Sequence, residues 1–130
     1  MAHPWYHAKS AARRFGGQPE DYLAVEQWFD QTKAHLADCR HRLILHNSFG
    51  IFLCEQQFGT MITRQSDGKE VPTRLIAEQH VLEDFGGRIP TLEECLRETP
   101  IADWMCKGAR ALSKDREQED RHAVSPNDRG

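Results

Sequence analysis

The stretch from Leu43 to Cys54 is the most apolar part of the chain, and it limits the folds that the sequence can adopt. Apolar side chains occur on most sides of a helix drawn through it, and such a helix is usually central and buried. We therefore expect a long central helix from about Cys39 to Phe58, with Asp38 as a cap at its start. Gly50 costs about 1 kcal/mol there relative to alanine. We interpret it as a place where another backbone approaches closely.

Start and stop signals for other helices lie on both sides of this segment. Pro4 fits the first turn of one helix, and Gly16 and Gly17 follow the end of that helix. Thr91 and Glu94 have the spacing of a capping box, which satisfies two exposed backbone donors at the start of a helix. Together with the hydrophobic spacing between them, these signals predict helices over residues 3–15, 19–36, 73–85, 92–98 and 100–112.

Residues 60–73 change from a helical to a strand-like pattern. β-Favouring residues lead into the turn sequence Ser66–Lys69, and the residues around Val71 can pair back as a short strand. The predicted fold class is therefore mainly α, a compact bundle of five or six helices with one short β-hairpin near residues 60–73. We expect residues 1–112 to form a single domain. Residues 113–130 should be a mobile polar tail, because they have little apolar surface to bury.

The composition of the chain excludes several classes of function. The 130 residues carry a formal net charge of −3, whereas nucleic-acid binders normally have a basic excess, so we expect no nucleic-acid partner. No apolar run is long enough to span a bilayer, and the N-terminus lacks the features of a signal peptide. We therefore expect a cytoplasmic protein without a membrane partner. The four cysteines form no C-x-x-C pair, which predicts free thiols rather than a zinc ribbon.

The spacing of the histidines is the strongest indication of chemistry. His3 and His7 are four residues apart on the first predicted helix, so their rings share a face. His80 and Asp84 have the same spacing on a later helix, and His46 lies inside the most apolar segment. Pairs of this kind on facing helices supply ligands to metal ions in helical bundles, and zinc is the first expectation. These five residues are the candidate ligands of a divalent metal.

Two interpretations of the histidines remain open. A bound metal that kept one position for water would lower the pKa of that water towards about 7 and make the protein a metal-dependent hydrolase. In the other interpretation the histidines only pack and hydrogen-bond, since pairs spaced in this way lack the specificity of an H-E-x-x-H motif. His35 and His41 flank a loop and fit this ordinary role, and Glu83 and Asp84 fit a solvated helix face.

Several short segments resemble a family of small, functionally uncharacterised proteins from bacteria and their phages. The similarity covers roughly residues 2–105. It rests on His3–Trp5, Phe15–Gly17, Glu20–Leu23, Trp28–Asp30, Arg40–Arg42 with His46, Gly50–Leu53 and Glu78–Val81. The resemblance brings no established activity. It implies a bacterial or phage setting, in which small proteins often act by binding and blocking a larger one.

The leading hypothesis from the sequence is a small interaction protein, an inhibitor or an adaptor, that binds a larger protein. The size of the chain and the lack of a strong catalytic motif favour it. Trp5, Tyr6 and Trp104 are the candidate interface residues, because aromatic side chains are common anchors of interfaces. Association of identical copies is a second form of this hypothesis. The alternative is the metal-binding helical protein with hydrolase activity, so whether the protein is an enzyme stays open.

Overall fold

The computed structural model describes residues 3–107, and helices account for most of them. The α-helices are α1 (Pro4–Phe15), α2 (Leu23–Phe29), α3 (Arg42–Leu45), α4 (Ser48–Phe58), α5 (Thr73–Asp84) and α6 (Leu92–Leu96). Short 3-10 turns cover Pro19–Asp21, Gln31–Ala34 and Cys39–His41, and an antiparallel hairpin joins β1 (Met61–Thr63) to β2 (Glu70–Pro72). The mainly α fold class with one short hairpin is confirmed.

The chain divides into two compact units, Met1–Arg97 and Glu98–Gly130. All the elements named above belong to the first unit. In the second unit a helical stretch begins at Trp104 and reaches Lys107, where the described part of the chain ends. The rest of the predicted last helix and the predicted tail over residues 113–130 lie outside the described residues. Among the residues described, no helix combines the length and apolar character needed to cross a membrane.

The predicted starts of α1 and α6 are confirmed in atomic detail. Pro4 occupies the first turn of α1. The Thr91 hydroxyl accepts a hydrogen bond from the backbone N–H of Glu94 at 3.1 Å, and the Glu94 carboxylate accepts one from the backbone N–H of Thr91 at 3.2 Å. This is the reciprocal pattern of a capping box.

The predicted helix over residues 39–58 is wrong in one respect, because Asn47 breaks it in two. The Asn47 side chain accepts a hydrogen bond from the Gly50 N–H at 2.9 Å and so caps the start of α4. Its amide nitrogen donates to the carbonyls of Leu43 and Ile44 at the end of α3. One asparagine therefore satisfies backbone groups of both helices, which is a role that asparagine fills well at helix starts. His46 lies in the resulting corner.

The expectation that this apolar segment is buried on most sides is also only partly met. Ile51 and Cys54 are buried, whereas Phe49 and Phe52 are 42% and 53% exposed. Ile44 on α3 is 48% exposed. The segment therefore buries one face and presents aromatic side chains on another.

The predicted helix over residues 19–36 is likewise shorter than expected. The chain makes a 3-10 turn at Pro19–Asp21, α2 ends at Phe29, and a second 3-10 turn follows instead of a continued helix. This ending places Asp30 against the core, where it is 8% exposed.

The main core lies between α1, α2, α4 and α5. Its buried apolar residues include Ala8, Ala11, Tyr22, Val25, Phe29, Ile51, Cys54, Ile76, Ala77 and Val81. A second set of buried residues is polar, and several of them are histidines and carboxylates: His7, Glu26, Asp30, His41, His46 and His80. Buried ionisable groups are costly unless they are paired or bind a metal, so this polar set needs an explanation.

Gly50 has the close backbone neighbour that its position in the sequence predicted. A Cβ atom at this residue would lie 1.6 Å from the carbonyl oxygen of Leu45. The corner between α3 and α4 can therefore form only if this residue has no side chain.

We expect Gly50→Ala to lower the free energy of unfolding by about 3 kcal/mol, because the added methyl must push the Leu45 carbonyl and the corner apart. Urea unfolding of the variant and of wild type measures this difference. Gln56→Ala, at an exposed position of the same helix, is the control and should change stability by less than about 0.5 kcal/mol. Equal stability of Gly50→Ala and wild type would contradict the described geometry.

Candidate metal centre

Several elements bring the buried polar residues together. On α5, His80 and Asp84 are one turn apart and lie on the same face. Asp30 directly follows α2, and His46 lies at the corner before α4. The short helix α3 and the 3-10 turn before it carry Arg42 and His41 to the same region.

Four ligand-type atoms converge on one point: Nε2 of His46, Nε2 of His80, Oδ2 of Asp84 and Oδ1 of Asp30. The two histidine nitrogens are 3.1 Å apart and lie 3.0 and 3.2 Å from Asp84 Oδ2. Asp30 Oδ1 lies 3.6 Å from His46 Nε2 and 3.8 Å from His80 Nε2. All four atoms are within 4.8 Å of one another.

These separations match the edges of a coordination tetrahedron. Zinc binds histidine nitrogen and carboxylate oxygen at about 2.0–2.1 Å, which gives ligand–ligand edges of about 3.3 Å in a regular tetrahedron. The five measured distances run from 3.0 to 3.8 Å on either side of that value. The four atoms therefore form a group that could hold one metal ion.

The hydrogen bonds of the cluster are incomplete in a way that fits a cation. Seven buried side-chain atoms among the described residues lack a hydrogen-bond partner, and five belong here: both Asp30 oxygens, Asp84 Oδ2, His41 Nε2 and His46 Nδ1. Leaving a buried charged acceptor without a partner costs more than leaving a neutral one. A divalent ion would satisfy the two carboxylate oxygens that face the centre.

Neighbouring groups fix which ring nitrogens face the centre. His80 Nδ1 donates to Glu26 Oε2 at 2.5 Å, and His41 Nδ1 donates to the Asp38 carbonyl at 3.0 Å. Each bond leaves Nε2 as the inward nitrogen, as outer partners do around metal-binding histidines. His41 Nε2 lies 3.6 Å from Asp30 Oδ1, so His41 borders the four-atom group on its Asp30 side.

His7 links the centre to the protein surface. Its Nε2 lies 3.1 Å from Asp84 Oδ1 and its Nδ1 lies 2.8 Å from Glu83 Oε1. Because carboxylates only accept, both nitrogens donate and His7 is an imidazolium. Burial lowers the pKa of His7, but the hydrogen bonds to Asp84 and Glu83 outweigh burial and raise it above its ordinary value.

The three closest ligands of the centre differ in how their surroundings shift their pKa values. Burial alone would raise the pKa of Asp84, but the close His46, His7 and His80 rings around the carboxylate hold it far below its usual range. Burial lowers the pKa of His46, which favours the neutral form of its ring. For His80, burial is overcome by the nearby Asp84 carboxylate and by the hydrogen bond to Glu26, which raise its pKa to about 9. A metal ion at the centre would replace the Nε2 proton of His80 and release it.

The structure brings together three of the five sequence-predicted ligands, His46, His80 and Asp84. His7 contacts Asp84 as an outer partner. His3 lies apart from the centre, since it caps α1 and its Nδ1 accepts a hydrogen bond from the Trp5 N–H at 3.1 Å.

Three participants were missed from the sequence: Asp30, Glu26 and His41. Glu26 and Asp30 are four residues apart beside the buried residues Val25 and Phe29. That spacing of carboxylates within an apolar helix was the signal that could have found them. His41, assigned an ordinary role from the sequence, is 1% exposed.

The three candidate interface residues differ in exposure. Tyr6 is 61% and Trp104 is 69% exposed, whereas Trp5 is half-buried. Tyr6 belongs to the first compact unit and Trp104 to the second.

Comparison with known proteins gives a family for the chain. A family model described as Domain of unknown function (DUF6915) matches residues 2–105. The match covers most of the chain, so this protein belongs to that family, and the resemblance to an uncharacterised family is confirmed. Neither the curated proteins nor the solved structures give a significant match. Function therefore has to be inferred from the geometry of the site.

The pKa of His80 predicts how the stability of the metal-stripped protein depends on pH. The folded pKa of about 9 exceeds the ordinary value of 6.5, so the imidazolium contributes stability that is complete below pH 6.5 and lost as pH rises through 9. We expect the free energy of unfolding to fall over this range by an amount on the order of 3 kcal/mol.

Urea unfolding of chelator-treated protein between pH 6 and 9.5 measures this effect. His80→Gln should show a much flatter profile, since it cannot take up the proton. The same slope in wild type and His80→Gln would mean that other groups carry the pH dependence.

Proposed function

We propose that this protein binds one divalent transition-metal ion, with zinc the best fit, through His46, His80, Asp84 and Asp30. The observation that carries the proposal is the convergence of two buried carboxylate oxygens without hydrogen bonds on two histidine nitrogens, at tetrahedral spacing. Two imidazoles and two carboxylates suit zinc in charge and ligand type. The ion would offset the charge of two carboxylates that are buried in the same place.

The enclosure of the site supports a structural role for the ion. The side chains of His46 and His80 are 0% exposed, Asp84 is 3% and Asp30 is 7% exposed. Structural zinc sites are closed by four protein ligands, whereas catalytic sites keep a position open for water or substrate. The closed arrangement favours metal binding that stabilises the fold over the hydrolase activity considered from the sequence. The ion would tie α5 to the end of α2 and to the corner before α4.

The first test is elemental analysis of the untagged protein, purified without chelators. We expect about one zinc ion per chain in wild type and loss of the ion in His46→Ala and in Asp30→Asn. Asp30→Asn keeps the size of the side chain and removes its charge. His35→Ala, at an exposed histidine outside the cluster, is the matched control and should keep the ion.

Metal removal should also lower the melting temperature. A ligand at 100 times its dissociation constant stabilises the folded state by about 2.7 kcal/mol, and chelation removes that contribution. A protein that takes up no zinc, manganese or cobalt after dialysis and melts at the same temperature with and without chelator would refute the proposal. The cluster would then be a buried ion-pair network.

A second candidate function is protein binding, the leading hypothesis from the sequence. It is favoured by exposed apolar side chains: Ile44 on α3, and Phe49 and Phe52, which are three residues apart and share a face of α4. These side chains are 48%, 42% and 53% exposed. Exposed apolar groups that cluster on a surface are typical of interaction sites. An inhibitor or adaptor in a bacterial or phage setting, or a homo-oligomer, would use such a face.

The double variant Phe49→Ser/Phe52→Ser tests this second candidate. We expect it to lose a partner that wild type captures from a bacterial lysate, or to dissociate a wild-type oligomer seen by sedimentation. Gln56→Ser and Gln57→Ser, at exposed polar positions of α4, are the controls. A monomeric wild type whose captured proteins are unchanged by the double variant would count against this role.

A further inference from the structure

A histidine outside the four proposed ligands directs a ring nitrogen towards the same centre. His41 is buried, and its Nδ1 donates to the Asp38 carbonyl at 3.0 Å, so the neutral ring carries its lone pair on Nε2. This Nε2 has no hydrogen-bond partner among the described residues. A buried nitrogen without a partner has lost the hydrogen bond that water would give it, and a bound cation would offset that cost.

Asp30 Oδ1 is the common neighbour of three histidine nitrogens. Its distance is 3.6 Å to Nε2 of His41, 3.6 Å to Nε2 of His46 and 3.8 Å to Nε2 of His80. These separations are too long for hydrogen bonds. Two ligands on metal bonds of about 2.1 Å are about 3.6 Å apart when the angle between the bonds is 120°. The contact between His41 and Asp30 therefore has the spacing expected of two ligands on one ion.

The backbone around His41 is fixed by its neighbours. Asp38 caps the 3-10 turn by accepting a hydrogen bond from the Arg40 N–H at 2.9 Å. The Thr32 hydroxyl donates to the His41 carbonyl at 2.7 Å, and Thr32 belongs to the 3-10 turn that directly follows Asp30. This contact therefore holds His41 beside Asp30 without using either of their side chains.

His41 lies just outside the four-atom group. Its Nε2 is not among the atoms that all lie within 4.8 Å of one another. Ligands on opposite sides of an ion with bonds of about 2.1 Å are only about 4.2 Å apart. A fifth bond to the ion therefore requires the His41 ring to shift towards the centre.

We propose that His41 is a fifth ligand of this centre, recruited by divalent ions that take more than four ligands, such as manganese and cobalt(II). The inference rests on the metal site proposed above and extends it. Zinc takes four ligands in structural sites and is held by the four residues already named. Ions that prefer a higher coordination number draw His41 in and are bound by three imidazoles and two carboxylates. His41 then fills the position that a catalytic site keeps for water.

Visible absorption of the cobalt(II)-loaded protein tests this assignment, because cobalt(II) absorbs more strongly with four ligands than with five. We expect the absorption per bound ion to be about threefold stronger in His41→Phe, which keeps a ring but has no nitrogen, than in wild type. His35→Phe, at an exposed histidine outside the cluster, is the matched control and should keep the wild-type spectrum. Equal absorption of wild type and His41→Phe, each with one bound cobalt ion, would overturn the assignment.

The affinities for two metals separate ligation from packing. His41→Phe should weaken manganese binding about tenfold and change zinc binding by less than about threefold, because only manganese uses the fifth ligand. Equal losses for both metals would mean that His41 only supports the packing of the site.

X-ray absorption of the metal-loaded wild type needs no variant, so it remains decisive if His41→Phe fails to fold. We expect one more imidazole ligand around manganese than around zinc. The same number of imidazoles around both ions would overturn the assignment of His41. Failure of wild type to bind cobalt, manganese or zinc would instead reject the metal site itself.

Discussion

The contacts of Asp84 hold this structure together. One carboxylate at the end of α5 faces the rings of His7, His46 and His80, which come from α1, from the corner before α4 and from α5 itself. Side chains from separate parts of the sequence therefore contact one carboxylate. Burying such a charge costs much free energy unless the surrounding groups compensate it. The positions of the other ionisable groups in the core follow from this requirement.

The buried ionisable groups are not all paired equally well. The Glu26 and His80 side chains satisfy each other, and the two nitrogens of His7 both have carboxylate partners. Both oxygens of Asp30 and the inner oxygen of Asp84 make no hydrogen bond. A network built only for internal ion pairing would be expected to satisfy all of its buried carboxylates. A network arranged around a cation leaves open the atoms that the cation uses.

The sequence predicted the elements that begin or end at a proline, a glycine pair or a capping box. It failed where another side chain interrupts a helix without such a signal. Proline, paired glycines and the Thr91–Glu94 spacing located α1, α5 and α6. Asn47 was not recognised as a break, because apolar residues continue on both sides of it and the hydrophobic pattern alone favours one helix. The candidate site shows the same division. Spacing on α5 found His80 and Asp84, but His41 joins the site through tertiary packing, which periodicity does not report.

The corner at His46 and Asn47 has a consequence for how this chain can change in length. Each residue of a helix turns the chain by about 100°. One insertion or deletion between Arg42 and Asn47 would therefore swing the His46 ring to another side of the bundle, away from Asp84. Because Gly50 packs directly against the Leu45 carbonyl, the corner cannot adjust to absorb such a shift. Related chains that keep the site should differ here by substitution, and they should confine insertions to other parts of the molecule.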